Sequence, residues 1–460
     1  MREAPIRFLG TDPANRLVMD SPWFIIADDF TGSGDSAVQF RTRKRPARFL
    51  LDLSQKSLTG LELSAYVVNS DSRFLSGPEA YERVLGITHA IKEKASGKIF
   101  KKIDSTLRGN IAEEVAAVMD GAGFSRALVC PAAPRNGRTV VDGLCLVNQK
   151  PINSGTMARD HFTPVEEACI SSHFKAKFPG FIAHITLQEL HQGAKALAEN
   201  VERLSAEGKR IFTADATSIE DLTLLATLAE LPGLLLVGSS GLAEALADHK
   251  GVDRTGISPQ GIQKVPADKA VFFVGSVTPT SAAQCAFLAA SGSVQRIIID
   301  GRSAADDPAA EMGRILRDVE ALPDATLLFH TSSVKKGVSA VQACLMGARI
   351  SQFMGELALE VVRRRSIRFL FAMGGDTAAR IVASLGVDYI DFTDEILPGL
   401  PFGICQSRAL GMDLNFACKS GGFGAMDALV QAFNIIATKG CSIPTSIEGE
   451  YLRSTREIFI

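Results

Sequence analysis

Short, continuously apolar runs recur along the chain, each followed by a turn of Gly, Ser, Thr or Asp and then by a helix-compatible segment. That rhythm confines the chain to an α/β fold with a largely parallel sheet. A buried parallel strand reads as an unbroken apolar run, and its crossover connection reads as a helix. Strands are expected at 23–27, 47–52, 65–69, 98–103 and 126–130, then at 181–186, 209–214 and the start of 234–247. A second series falls near 270–275, 295–300, 325–331, 366–373 and 412–418. Helices are expected at 78–94 and 110–120; in the latter, Ile111, Val115, Val118 and Met119 recur at helical spacing.

Two segments break the rhythm. Residues 131–180 are rich in Gly, Pro and polar residues and predict long loops or a β excursion. Residues 248–268 are polar and aperiodic and read as a linker. With 460 residues the chain is too long for one ordinary domain. The expected division is an N-terminal extension (1–20), a first α/β lobe (21–247), the linker and a second α/β lobe (269–460), with a cleft between the lobes.

Composition narrows the class. Apolar residues make up 46% and charged residues 22%, which suits a globular protein with ample core. A net charge of −2 and a pI of about 6.4 supply no basic field for nucleic acid or a membrane surface. The eight cysteines form no CxxC pair or Cys/His metal pattern, so they read as buried, reduced thiols. His161, His173, His184 and His191 likewise form no ligand pattern. No signal peptide opens the chain, and no segment approaches the roughly 18 apolar residues of a membrane span. A cytoplasmic protein is expected, acting on a small molecule without nucleic-acid or membrane partners and open to homo-oligomerisation.

Chemistry concentrates at strand ends. The run Trp23–Ala27 ends in Asp28 and Asp29, followed by Thr31, Gly32, Gly34 and Asp35. Gly32, Gly34 and Ala37, with Asp52 further on, superficially meet a dinucleotide fingerprint. Pyrophosphate beside two carboxylates would be repelled by several kcal/mol in order-of-magnitude Coulomb terms, which argues against it. The segment 98–110 repeats the pattern with Lys102, Asp104, Ser105 and Arg108; as a helix cap it needs no ligand, but two such junctions side by side make a pocket for a polyhydroxy acid. In the second lobe, Gly374-Gly375-Asp376-Thr377, the 419–424 stretch with Gly421 and Gly422, and the turn at Gly275, Ser276 and Thr278 suit phosphate approach. Asp376 either holds Mg²⁺ or caps its helix. Walker A, HExxH, GxSxG and protein-kinase signatures are absent.

Taken in order, ADDFTGSGD (27–35), KKIDSTLRGN (101–110), PAAPRNGR with VDG (131–143), VGSSGLA (237–243), VGSVTPTSAAQ (274–284), GGDTA (374–378) and KSGGFG (419–424) resemble the four-carbon acid sugar kinases. The resemblance spans about 22–438 and implies an acid-sugar domain followed by a nucleotide domain. It also implies ATP- and Mg²⁺-dependent phosphorylation of a terminal hydroxyl of erythronate, threonate or 3-oxo-tetronate. By motif position Asp28 and Asp29 take the catalytic place, one of them as proton acceptor. Thr31, Gly32, Asp35, Lys102, Asp104, Ser105, Arg108 and Arg138 fall to the substrate. Ser276, Gly374, Gly375, Asp376, Thr377, Gly421 and Gly422 fall to the nucleotide; metal ligands are unassigned. The family often has Glu where Asp376 stands and usually Pro where His161 follows Asp160, which leaves the acid open. Domain closure across 248–268 is expected to exclude water. The competing readings are a nicotinamide-dependent oxidoreductase built on the Gly32 turn and a non-catalytic acid-sugar sensor.

Overall fold

The structure is a computed structural model describing residues 22–41, 47–51, 53, 63, 65–94, 97–154, 165–250, 262–332, 340–422 and 424–438. The expected N-terminal extension, Asp52, Asp160, His161 and most of the linker lie outside the described residues.

The first half contains β1 (Trp23–Ala27), β2 (Ala47–Leu50), β3 (Ala65–Asn69), β4 (Lys98–Lys102), β5 (Arg126–Cys130), β6 (Arg138–Val141), β7 (Leu144–Val147), β8 (Lys150–Pro151), β9 (Ile182–Ile185), β10 (Ile211–Ala214) and β11 (Leu234–Gly238). The second half adds β12 (Ala270–Val274), β13 (Val294–Ile299), β14 (Thr326–Thr331), β15 (Phe369–Met373), β16 (Tyr389–Leu397), β17 (Leu400–Ser407) and β18 (Met412–Lys419). The apolar runs become fully buried strands, as in β1, β12 and β15. The two expected helices form as Gly77–Lys94 and Ile111–Ala122.

The α/β class with a largely parallel sheet holds, but the two halves do not own separate sheets. One 15-stranded sheet runs β13-β14-β12-β15-β18-β17-β16-β2-β3-β1-β4-β11-β5-β10-β9. Its pairings are parallel except for three in succession, β18–β17, β17–β16 and β16–β2. Three reversals make the parallel set of the first half run opposite to that of the second. The joining hairpin, β16–β17, is absent from the expected strands: β16 alternates buried with more exposed residues, and the buried start of β17 is interrupted by Pro401 and Gly403.

The seam is fastened by charge and aromatic packing. Arg48 Nε and Nη2 donate to the two carboxylate oxygens of Asp391 at 2.7 and 2.9 Å. Its guanidinium lies 3.7 Å from the Tyr389 ring centroid. Arg41 pairs with Asp394 at 3.3 Å, and Phe49 stacks on Phe392. A hinge at 248–268 therefore cannot by itself part the halves, because opening them would break the sheet at β2–β16.

The 131–180 excursion contains a small antiparallel sheet, β6-β7-β8. Asp215 clamps it to the main sheet: Oδ2 accepts from the Asp142 N–H at 3.1 Å and Oδ1 from the Gly143 N–H at 2.9 Å, with His184 Nε2 3.1 Å from Oδ1. Cys130, Cys145, Cys285, Cys405 and Cys418 are buried and free, as expected. Among the described residues no helix is long and apolar enough to cross a membrane.

Arg48→Met leaves Asp391 unpaired at the seam and is expected to cost about 2–4 kcal/mol in urea denaturation. The double variant Arg48→Met/Asp391→Leu should recover part of that loss. No loss in the single variant would mean that the pair does not hold the seam.

Candidate active site

Four strand ends of the first half lie level. Ala27 of β1 pairs with Asn69 of β3 and Lys102 of β4, and Gly238 of β11 also pairs with Lys102. The residues that follow therefore emerge side by side: Asp28-Asp29, Ser70 to Arg73, Asp104-Ser105 and Ser239-Ser240. In an open α/β sheet this is where ligands bind.

Arg73 ties these ends together. Its Nε donates to Asp28 Oδ2 at 2.7 Å and its Nη2 to Asp29 Oδ1 at 2.8 Å, with Asp104 Oδ1 3.9 Å away. Burial opposes ionisation of Asp28, but Arg73, Lys101 and Lys102 together hold its carboxyl below the usual range. Asp104 is buried too, yet Arg108, Arg73 and the Thr106 hydroxyl hold it well below. Arg108 binds Asp104 in bidentate fashion, Nε to Oδ2 at 2.8 Å and Nη2 to Oδ1 at 3.1 Å. Beneath this layer Lys101 pairs with Glu114 at 2.7 Å, and Ser72 donates to the other Glu114 oxygen.

Asp28 and Asp29 separate in role. Asp28 is 2% exposed and does not line the cleft, and its Oδ1 has no hydrogen-bond partner among the described residues. Asp29 caps the helix Phe30–Phe40, accepting from the Gly32 N–H at 3.1 Å and from the Thr31 hydroxyl at 2.8 Å, and it faces the cleft. Asp35 also lines the cleft; burial raises its pKa, with Lys102 and Ser240 only partly compensating.

In the second half the three glycine turns converge, because β12, β15 and β18 are neighbours and Val274, Met373 and Lys419 are in register. The Gly374 N–H donates to the Lys419 carbonyl at 2.9 Å, and the Thr278 and Ser281 hydroxyls each donate to the Gly421 carbonyl at 3.0 Å. Gly374 has φ +107°, which favours glycine, and a Cβ at Gly421 would collide with the Ser276 side chain. The side of Gly422 is open, while Thr377 packs its hydroxyl end against Gly275.

The two halves meet at these points. A Cβ built on Gly375 would lie 3.5 Å from Asp29 Oδ2 and 3.8 Å from Thr31 Oγ1. Asp376, on the first turn of its helix, is raised in pKa by burial and by the negative charges of Asp71 and Asp29. The resulting cleft is lined by Asp29, Thr31, Gly32, Asp35, Lys102 and Ser105 among others, with Gly399 and Ser420 supplied by the second half.

Of the expected substrate residues only Arg138 does not line this cleft; its guanidinium bonds the Asn136 carbonyl, and Asn136 lines the cleft instead. Gly34, part of the dinucleotide fingerprint, makes room for the hairpin: a Cβ there would meet Pro401 at 3.0 Å and Phe392 at 3.2 Å. Sequence reasoning missed Arg73, although Ser-Asp-Ser-Arg directly follows an expected strand in the register of Asp104. It also missed Gly399, although the Pro398-Gly399 pair between two apolar stretches signals a turn.

Comparison with known proteins agrees with this division. A family described as a sugar-binding N-terminal domain matches residues 23–246, and one described as a nucleotide-binding C-terminal domain matches 271–429. A D-threonate kinase of Salmonella typhimurium is 29% identical over 432 residues, covering 91% of this chain and 99% of that protein. A 3-oxo-tetronate kinase of Cupriavidus necator is 31% identical over 432 residues, covering 88% and 95%. The crystal structure of a Haemophilus influenzae protein covers 89% of this chain and 98% of its own, with TM-score 0.66 and 23% identity, a likeness of fold alone.

Glu395 gives a test of the cleft's electrostatics. Burial, aided by the negative charge of Asp35, pushes its pKa up to about 7, while its Oε1 accepts from the Gly399 N–H at 2.6 Å. A carboxyl raised above its unfolded value of 4.5 makes stability fall as pH rises from 4.5 to about 7. Glu395→Gln should remove that slope and raise the melting temperature at pH 8 by several degrees, leaving it little changed at pH 4.5. A variant that melts like the wild type at pH 8 would show that Glu395 carries no such strain.

Proposed function

Since the chain belongs to the four-carbon acid sugar kinase family, we propose that it transfers the γ-phosphoryl group of ATP to the terminal hydroxyl of a four-carbon sugar acid, giving the 4-phosphate. Erythronate, threonate and 3-oxo-tetronate are the candidate acids. The observation that carries this reading is the abutment of Asp29 and Thr31 on Gly375, which sets a hydroxyl-binding strand end directly against a phosphate-binding turn.

In this mechanism Asp29 is the proton acceptor. It lines the cleft and faces the glycine turn, whereas Asp28 is buried behind Arg73. The substrate hydroxyl gives its proton to Asp29 as its oxygen forms the bond to the γ-phosphorus, and the bond from that phosphorus to the β-phosphate oxygen breaks to release ADP. Asp28 acts as a positioning residue, fixing the guanidinium that orients Asp29. Lys102 and Arg108 meet the acid's carboxylate, and Asp35 and Ser105 accept or donate to its hydroxyls. The backbone N–H groups of Gly375, Gly421 and Gly422 and the hydroxyls of Ser276 and Thr377 receive the phosphates, while Gly374, whose N–H is given to the Lys419 carbonyl, shapes the turn.

The residues present fit Mg²⁺. No group of three or more His, Cys, Asp or Glu among the described residues is placed to hold a metal unaided, but Mg²⁺ is commonly held by one or two carboxylates together with substrate phosphates. Asp376, with Asp71 and Asp29 near enough to perturb it, supplies hard oxygen donors of that kind. When bound, the ion neutralises phosphate charge. A cytoplasmic place of action, where ATP is available, goes with this reading.

An ADP-release screen with ATP-Mg²⁺ over four-carbon sugar acids should find turnover on at least one stereoisomer; silence on all of them would sink the proposal. On the best acid, Asp29→Asn should lower kcat by about 10²–10⁴. Asp28→Asn should lower it less. The reverse ranking would assign the proton to Asp28.

A further inference from the structure

Lys419 closes β18 and is 1% exposed. Among the described residues its ammonium makes one hydrogen bond, Nζ to the Ser420 carbonyl at 2.8 Å, and pairs with no carboxylate. The turn that follows curls around it: a Cβ on Gly424 would lie 3.3 Å from Lys419 Cε. The same turn is stitched to the Ser276 turn through the Gly421 carbonyl and to the helix Pro279–Ala290 through Gln284, whose Nε2 donates to the Gly424 and Ala425 carbonyls. A buried ammonium without a counter-ion is costly. It lies where the three glycine turns converge, with open space beside Gly422.

We propose that Lys419 is a phosphate-binding cation of the nucleotide site, reaching the phosphate chain of ATP from beneath the 419–424 turn. The inference rests on the kinase reading and assigns a contact within it. A single neutral carbonyl satisfies one of the three ammonium donors. A phosphate oxygen supplies both the missing acceptor and the missing negative charge.

Among the described residues the surroundings hold no alternative anion. Across the sheet Lys419 neighbours Met373. From the helix Pro279–Ala290 it faces the Cys285 thiol, which burial pushes up to about 12 and so keeps neutral, with Arg296 adding positive charge beyond. Burial lowers the Lys419 ammonium to about 7 in the nucleotide-free protein. At pH 8 most of it is then neutral, and a bound polyanion raises its pKa. Nucleotide binding should therefore take up protons at pH 8, and affinity should fall as pH rises above 7.

The test is titration calorimetry of the full chain with Mg-ADP at pH 8 in two buffers of different ionisation enthalpy, with thermal melts to verify folding. The wild type should bind with net proton uptake. Lys419→Met should bind about 10–100-fold more weakly and without that uptake. Lys419→Arg should keep most of the affinity and lose the uptake, since its guanidinium stays charged. A Met variant matching the wild type in affinity and uptake overturns the assignment while leaving the kinase reading intact. If the Met variant does not fold, the Arg variant decides, unchanged proton uptake being the overturning result. Absence of Mg-ADP binding by the wild type overturns both.

Discussion

A guanidinium held among carboxylates is the contact on which the cleft depends. Asp28, Asp29 and Asp104 emerge from adjacent strand ends, and unit charges about 4 Å apart repel by roughly 4 kcal/mol at an effective dielectric of 20. Arg73 reaches all three, bonding two directly. With Arg108 on Asp104 and Lys102 beside Gly32, cations match the carboxylates. The ends can then stay level and charged without water filling them. The same arrangement separates the two adjacent aspartates: the one deeper behind Arg73 becomes structural support, and the one capping the helix keeps a face toward the cleft.

The second constraint is the direction of the sheet. Two parallel sets that run in opposite directions need an odd number of antiparallel pairings between them, and here the hairpin β16–β17 makes three. That hairpin, β16–β17, has consequences for the cleft as well as for the seam. Its tip delivers Gly399 into the sugar-acid side, and Glu395, which holds the tip by the Gly399 N–H, is half-buried and feels the charge of Asp35. The first half's pocket is thus completed by a segment remote in sequence, and rigid coupling across β2–β16 takes the place of a free hinge.

Much of the site was legible because strand ends in a parallel sheet announce themselves. Asp28-Asp29, Lys102 to Arg108, the Gly275 turn, Gly374 to Thr377 and the 419–424 turn each follow an unbroken apolar run, and register brings them together. Arg73 follows the same rule, but its Ser-Asp-Ser-Arg stretch contains no glycine to mark the turn. Gly34 misled: its spacing imitates a dinucleotide turn, whereas it is small because Phe392 and Pro401 press against it. Arg138 bonds the Asn136 carbonyl, while its charge interacts with Asp104 and Asp35 of the cleft.

The sequence by itself determined the α/β class, the order of strands and turns, and the residue types gathered at each turn, since these follow from local apolar patterning and from what glycine, serine and aspartate do at a strand end. Tertiary structure alone decided that the two halves share one sheet, that Gly375 abuts Asp29, and that Lys419 is buried without a counter-ion. Those outcomes depend on pairings between residues tens to hundreds of positions apart. A half-exposed hairpin strand carries no sign in its own sequence of which edge it will join.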